Sequence, residues 1–130
     1  MVVFCIASFP AGAAGFDGST PILCALTEAV ECDSESGCEA TTVEGLDLPH
    51  FFKIDFKANI ATGIGPAGMK GSGHKMTPIN TVKRTDGTII LQGIEVRGWS
   101  AVVNGETGKM SMAVSGDDEA FVLFGACTEL

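Results

Sequence analysis

The chain has 130 residues, of which 45% are hydrophobic and 18% charged, a composition typical of one globular domain rather than of a disordered segment. Sixteen acidic residues outnumber eight basic ones, which gives a formal net charge of −8 and excludes the basic surplus that nucleic-acid binding requires. No stretch approaches the roughly 20 apolar residues of a membrane-spanning helix. We therefore expect a small acidic protein that neither binds nucleic acid nor spans a membrane.

Residues 1–16 carry no charge, and an apolar stretch at 2–9 is followed by small residues at 11–15. This order is typical of the hydrophobic and cleavage regions of a secretory signal, although the basic leader that normally precedes them is missing. We interpret residues 1–16 as a signal-peptide remnant or as an ordinary buried first strand, followed by one β-barrel-like domain at 17–130. The signal interpretation predicts a periplasmic or secreted protein.

The chain contains five cysteines, and four remain if Cys5 leaves with the signal. Cys32 and Cys38 flank a turn-forming stretch and could close a hairpin, in which case Cys24 and Cys127 would tie the first strand to the last. Three pairings are possible in principle, and the sequence does not choose among them. Free thiols and a zinc site are the alternatives, but the spacing lacks the short Cys-Cys knuckle of zinc sites, so we expect disulfides and no metal.

From residue 22 onward, apolar and polar residues alternate with the period of two that β-strands have. In residues 22–32 this alternation predicts one strand face formed by Ile22, Cys24, Leu26, Glu28, Val30 and Cys32. Glu28 interrupts that face, which places it near a barrel end or in a polar interior. Residues 50–60 give the clearest strand pattern, with apolar side chains on one face and charged ones on the other.

Turn signals separate the strands that follow. Asp86-Gly87 predicts a two-residue hairpin turn, and Asn104-Gly105 has the same turn chemistry. The unbroken apolar run at 120–126 predicts a last strand that is buried on both faces or central in its sheet. Since no segment has a convincing helical period, we expect an all-β fold, a single small antiparallel meander or barrel of about eight short strands.

Residues 61–75 contain glycines in the spacing G-x-G-x-x-G, at Gly63, Gly65 and Gly68. A dinucleotide site also needs a helix that opens within the motif, so that its N-terminus binds the phosphates. Further glycines and prolines through residue 78 exclude such a helix, because each glycine costs about 1 kcal/mol and each proline about 3 kcal/mol relative to alanine inside a helix. We therefore expect a loop here and no cofactor.

Two groups of residues are candidates for ligand binding. The loop at 61–75 carries the basic residues Lys70, His74 and Lys75. We hypothesise that it closes over an anionic or amphipathic ligand at a barrel mouth, the alternative being a solvated loop. The second group is predicted to line an apolar ligand cavity, or else simply to pack in the core, and consists of Trp99, Met110 and Met112.

The stretch from Gly87 to Thr128, with the strand around Cys24, resembles small exported bacterial proteins of unknown function. This resemblance implies export and a compact β fold and implies no activity. A looser similarity is to periplasmic lysozyme inhibitors, which are small disulfide-tied β-barrels. Their inhibitory segment carries serine and tyrosine, and it has no counterpart here because the chain contains no tyrosine.

Three functions follow from these patterns. The leading one is non-catalytic binding of a small apolar or anionic ligand, which predicts an interior cavity near Trp99. The alternative is a protein-binding module such as a lysozyme-like enzyme inhibitor, which predicts a filled core and an acidic patch. A hydrolase is the third, because Asp47 and His50 could form an acid–base pair, although no catalytic motif surrounds them.

Overall fold

A computed structural model describes residues 16–65 and 76–130, and over these residues the fold is all-β with one short 3-10 turn at Glu44–Leu46. The strands form a single curled antiparallel sheet, a half-barrel. Ten strands are described, in chain order β1 (Ile22–Asp33), β2 (Gly37–Thr41), β3 (Phe51–Asp55), β4 (Ile60–Ile64), β5 (Met76–Pro78), β6 (Thr81–Thr85), β7 (Thr88–Glu95), β8 (Arg97–Asn104), β9 (Lys109–Ser115) and β10 (Glu119–Glu129).

The sheet has the strand order β5-β4-β3-β1-β10-β9-β8-β7-β6, and β2 pairs with the outer part of β1. The apolar last strand β10 is therefore central, as the sequence predicted. Its partner is β1, the first strand, and the two pair from Ile22 with Glu129 to Asp33 with Glu119. Apart from the pairs β1–β10 and β1–β3, the neighbouring strands in this order are consecutive in the chain, as in a meander.

The two ends of the sheet are joined directly, since β5 and β6 are consecutive strands linked by Ile79 and Asn80. The backbone N–H of Ile79 donates to Asn59 O at 2.8 Å, and that of Asn80 donates to Gln92 O at 2.8 Å. The linker is thus bonded to both halves of the sheet, and β5 also lies against β7. These contacts curl the sheet around one core.

The predicted hairpin turns are confirmed. Asp86 and Gly87 both have positive φ angles, 47° and 76°, which suit a two-residue turn between β6 and β7. At the β8–β9 turn, the Asn104 side-chain oxygen accepts the backbone N–H of Glu106 at 2.9 Å and of Thr107 at 3.0 Å. Both turns form where short polar residues and glycine supply the bonds and the left-handed backbone.

The strand predicted for residues 50–60 is wrong in its second half. The chain turns after Asp55, whose carboxylate accepts the backbone N–H of Lys57 at 3.0 Å and of Ala58 at 2.9 Å. Asn59 then takes a positive φ of 53° and β4 begins. This turn contains no glycine or proline, so it carries no strong sequence signal. Together with the short strands β2 and β5, it raises the count above the predicted eight.

The predicted face of β1 is also wrong beyond Leu26. A β-bulge shifts the register between Leu26 and Glu28, so that the buried series passes to Ala29. Glu28 consequently lies exposed on the outer face instead of in a polar interior. A bulge adds one residue to a strand and reverses the side-chain alternation after it.

The cysteines pair across neighbouring strands. Cys24 and Cys127 lie directly opposite on β1 and β10, with Cα atoms 3.9 Å apart, and form one disulfide. Cys32 and Cys38 form the second across β1 and β2, with Cα atoms 4.0 Å apart. Of the three pairings open to the sequence, this is the one in which Cys32 and Cys38 close the hairpin while Cys24 and Cys127 tie the first strand to the last. Cys5 lies outside the described residues, as do the rest of residues 1–15.

The segment before β1 covers one end of the half-barrel. Phe16 is buried and its N–H donates to Gly105 O at 2.9 Å. The Arg84 guanidinium donates to the backbone oxygens of Asp17 and Gly18, at 2.7 and 2.9 Å. Within the residues described, none of the helical structure has the length and apolarity needed to cross a membrane. The other end of the half-barrel holds the candidate site.

Candidate ligand cavity

A cavity of about 380 Å³ lies inside the half-barrel, at the end opposite Phe16. Both halves of the sheet line it, and the Cys24 side chain is among its walls. Most of the lining is apolar, including Phe52, Ile54, Ala61, Leu91, Ala101, Val114 and Phe121. Pockets that bind small molecules have this size and this predominance of apolar side chains.

The three residues predicted to line a cavity are brought together here. Trp99, Met110 and Met112 all contribute to the lining, from the neighbouring strands β8 and β9. Met110 is buried, whereas Trp99 and Met112 are half-buried and pack against the core from the cavity side. The structure thus gives these residues a shared location, and their contact with a ligand stays a prediction.

The Trp99 indole lies flat against β7 because its cross-strand partner is a glycine. Trp99 pairs with Gly93, and a Cβ placed on Gly93 would lie 2.5 Å from Cε2 and 2.6 Å from Nε1 of the indole. Real Cβ atoms do not approach other atoms so closely, so only glycine admits this ring position. Gly93 was not among the predicted site residues, although an isolated glycine within a strand often marks a close approach of this kind.

Two residues of the cavity lining each have one side-chain polar atom that is inaccessible to water and has no hydrogen-bond partner, namely Trp99 Nε1 and Thr77 Oγ1. Thr77 lies on β5 and is only 9% exposed. Buried side-chain polar atoms in proteins are nearly always bonded, and leaving one unbonded costs about 1–3 kcal/mol. No sequence pattern indicated Thr77, because only the curl of the sheet brings β5 to this cavity.

The lining also includes residues 46–49, at and after the end of the 3-10 turn, and the β7–β8 turn. Val96 at that turn is 96% exposed and has a positive φ of 60°, an unusual backbone conformation for a β-branched residue. Next to it, the Arg97 guanidinium lies 5.4 Å above the Phe121 ring and donates to the Glu119 carboxylate. The one basic group among the described lining residues is therefore already paired.

The candidate acid–base pair is not brought together. His50 Nε2 lies 2.8 Å from Glu44 Oε1, so its ion pair is with Glu44, while Asp47 contributes to the cavity lining. A hydrogen bond from its own backbone N–H and the charge of His50 hold the pKa of the Glu44 carboxyl below its ordinary 4.5. The other predicted ligand residues, Lys70, His74 and Lys75, lie outside the described residues.

A second depression, beside the β7–β8 turn, is acidic. Arg97 lines both this depression and the cavity. The depression is also lined by six acidic residues, namely Glu31, Asp33, Glu35, Asp117, Asp118 and Glu119. We call this surface the acidic groove. Over residues 16–65 and 76–130, no three histidine, cysteine or acidic side chains are placed to hold a metal ion.

The acidic groove contains a carboxylate whose titration affects stability. Asp33 accepts the backbone N–H of Ser36 at 2.5 Å and of Glu35 at 2.9 Å, and these bonds hold the pKa of its carboxyl below the ordinary 3.8. The Asp33 carboxyl therefore binds a proton more tightly in the unfolded state than in the folded state. The stabilisation of the fold by these two hydrogen bonds is present above about pH 4 and is lost as the pH falls through the lowered pKa.

We expect the free energy of unfolding of the wild type to fall more steeply below about pH 4 than that of the Asp33→Asn variant, which keeps an acceptor but does not titrate. Urea unfolding at a series of pH values measures both slopes. Equal slopes would show that the bonds to Ser36 and Glu35 are not coupled to folding.

Comparisons with protein-family models, with curated protein sequences and with solved structures gave no significant match to this chain. The resemblance to exported bacterial proteins and the looser one to lysozyme inhibitors therefore stay predictions. Function is accordingly inferred from the geometry of the cavity.

Proposed function

We propose that the protein is a non-catalytic binding protein that holds a small apolar ligand inside the half-barrel. The observation that carries this proposal is the cavity of about 380 Å³, whose walls are mainly apolar. An apolar cavity of about 150 Å³ holds one benzene, so in proportion this one accommodates about fifteen non-hydrogen atoms. The ligand is thus a compact molecule of one or two rings, or a short branched chain.

The charges of the lining favour an uncharged ligand over an anionic one. Asp47 and Glu95 contribute carboxylates to it, and Arg97 is neutralised by Glu119. Burying an anion requires a free partner charge or several donors, because an isolated charge is strongly disfavoured in apolar surroundings. Of the two ligand types that the sequence left open, the described lining supports the apolar one.

Binding of the uncharged fluorescent probe N-phenyl-1-naphthylamine tests this proposal. Ala101 is buried and lines the cavity, so the leucine of Ala101→Leu would project into the space for the ligand. We expect the probe to bind the wild type with enhanced fluorescence and to bind the variant at least about tenfold more weakly. Titration of each protein into a fixed probe concentration gives the two dissociation constants.

Ala113→Leu is the matched control. Ala113 is exposed on the neighbouring strand β9, so the substitution adds the same side chain outside the cavity. Its probe affinity should equal that of the wild type. Thermal unfolding of both variants checks that the sheet survives, and Ala61→Leu fills the cavity from β4 if Ala101→Leu does not fold. Equal loss of binding in Ala113→Leu, or no loss in the cavity variants, would place the probe elsewhere and contradict the proposal.

The protein-binding alternative has one supporting observation, the acidic groove beside Arg97, which is complementary to a basic partner. That alternative also predicted a filled core, whereas the half-barrel contains a partly open apolar cavity. The ligand-binding function is for this reason the better supported of the two.

We further propose that the protein works outside the cytosol. Two cysteine pairs at disulfide distance in one small domain are characteristic of exported proteins, because reducing compartments keep thiols free. The uncharged stretch that precedes the buried Phe16 supports the same interpretation.

A further inference from the structure

We infer that the free edge of β2 binds an extended basic segment of another protein, which adds to the sheet as a further strand. Over residues 16–65 and 76–130, β2 pairs with β1 alone, and residues 37–40 of this strand are exposed. No residue of β2 lines the cavity, so the inference goes beyond the proposed function and its test does not depend on a cavity ligand.

The backbone groups of Cys38 and Ala40 point away from β1. Cys38 lies directly opposite Cys32, with the Cα atoms 4.0 Å apart. This short distance is typical of a pair that exchanges no hydrogen bonds, since hydrogen-bonded antiparallel pairs are about 5.5 Å apart. The two kinds of pair alternate, so the backbone of Glu39 bonds to that of Glu31, and Ala40 again faces outward. The edge therefore offers two N–H and two C=O groups for strand addition.

Two carboxylates lie side by side at this edge. Glu39 and Glu31 are directly opposite neighbours, so their exposed side chains share one face of the sheet. Like charges in this position destabilise a sheet, and a lysine or arginine opposite Glu39 in an added strand would neutralise them. Nearer the turn, a Cβ at Gly37 would meet nothing within 4 Å, so a second basic side chain can pass over it towards Asp33.

The other face of β2 favours uncharged residues between the basic ones. Cys38 and Ala40 contribute the side chains of that face, and Cys32 and Val30 lie opposite them on β1. None of these four side chains is charged. Since neighbouring residues of a strand point to opposite faces, the edge fits a segment in which basic and apolar residues alternate.

Charge argues against a second copy of this chain on the same edge. An antiparallel copy centred on Glu39 would place the two Glu39 carboxylates opposite each other, in a chain that already has a net charge of −8. Two such acidic chains repel each other, whereas a basic partner is attracted by the same charges.

The test uses the synthetic peptide acetyl-TVKVKVT-amide, titrated into isotope-labelled protein and followed by nuclear magnetic resonance of the backbone amides. In the antiparallel register, its first lysine lies opposite Glu39 and its valine nitrogens face β2. We expect the amide signals of Cys38 and Ala40 to shift most and their hydrogens to exchange more slowly. Acetyl-TVEVEVT-amide, with glutamates in place of the lysines, should bind at least about tenfold more weakly.

Backbone changes separate strand addition from simple charge attraction. N-methylation of the first two valines removes peptide donors that face β2, whereas N-methylation of the two lysines alters nitrogens that point away from it. We expect the first change to weaken binding at least about tenfold and the second to leave it within about twofold. In the protein, Ala40→Pro removes an outward N–H and leaves the bonds to β1 in place, so it should weaken binding as the first change does.

Thermal unfolding of Ala40→Pro shows whether its sheet survives, and the N-methylated peptides test the unaltered wild type in any case. If both N-methylated peptides bind equally well, the peptide is held by charge alone and the inference is wrong. Absence of peptide binding at millimolar concentration would also overturn it. So would a dimeric free protein that Ala40→Pro dissociates, because a second copy would then occupy the edge. None of these outcomes affects the cavity proposal, which N-phenyl-1-naphthylamine tests separately.

Discussion

The double substitution Cys24→Ala/Cys127→Ala is expected to lower the free energy of unfolding by about 4–5 kcal/mol. This disulfide joins residues 103 apart in the chain, and a loop of that length restricts the unfolded state strongly. Alanine is the appropriate replacement because Cys24 is 0% exposed, and a serine hydroxyl would be buried there. The loss is comparable to the whole stability of many small domains.

The second disulfide supplies the comparison. Cys32 and Cys38 are only six residues apart and lie at the outer end of β1, so Cys32→Ala/Cys38→Ala should cost about 2 kcal/mol. Guanidinium unfolding of the wild type and the two double variants measures these losses. A larger effect for the Cys32–Cys38 pair would mean that the link between the first and last strands does not dominate stability.

Gly93→Ala is expected to displace the Trp99 indole, to weaken probe binding by at least about tenfold and to destabilise the fold by about 1–3 kcal/mol. The added methyl would lie within 2.6 Å of three indole atoms, and the ring cannot remain where it is. Because Trp99 is the only tryptophan, its emission spectrum reports the movement, which should shift to longer wavelength as the indole meets water.

Gly98→Ala is the control for this prediction. Gly98 belongs to the same β7–β8 hairpin, but a Cβ at this position meets nothing within 4 Å. Emission, probe affinity and stability should all stay close to those of the wild type. If Gly93→Ala also leaves emission and affinity unchanged, the indole is not held against β7, and the ligand site described above loses its wall.

The local parts of this fold can be predicted from the sequence. Asp86-Gly87 predicts its turn because both residues readily adopt a left-handed backbone. Asn104 predicts the β8–β9 turn because its side chain bonds the backbone N–H groups that follow it. The apolar run of β10 indicates its central position. The grouping of Trp99 with Met110 and Met112 follows from their positions on consecutive strands, where period-two alternation fixes which side chains share a face.

The parts that depend on distant contacts could not be predicted. The bulge after Leu26 is stabilised by pairing with β10, and the sequence around it reads as an unbroken alternation. Likewise, the turn after Asp55 is held by one carboxylate that accepts two backbone N–H groups. Many aspartates do not form such turns, so the residue type alone does not predict this one. Thr77 enters the cavity lining only because β5 curls back against β7.

The pairing of β1 with β10 also determines the order in which the sheet can be completed. As the chain is synthesised, β1 can pair with β2 and β3 once they are made, but the edge of β1 that pairs with β10 stays free until the last strand is present. Until then its twelve residues present an open edge of N–H and C=O groups along their whole length. A nascent chain that stops short of β10 therefore keeps this edge open to pairing with another copy, and protection from self-association comes only with the final eleven-residue strand.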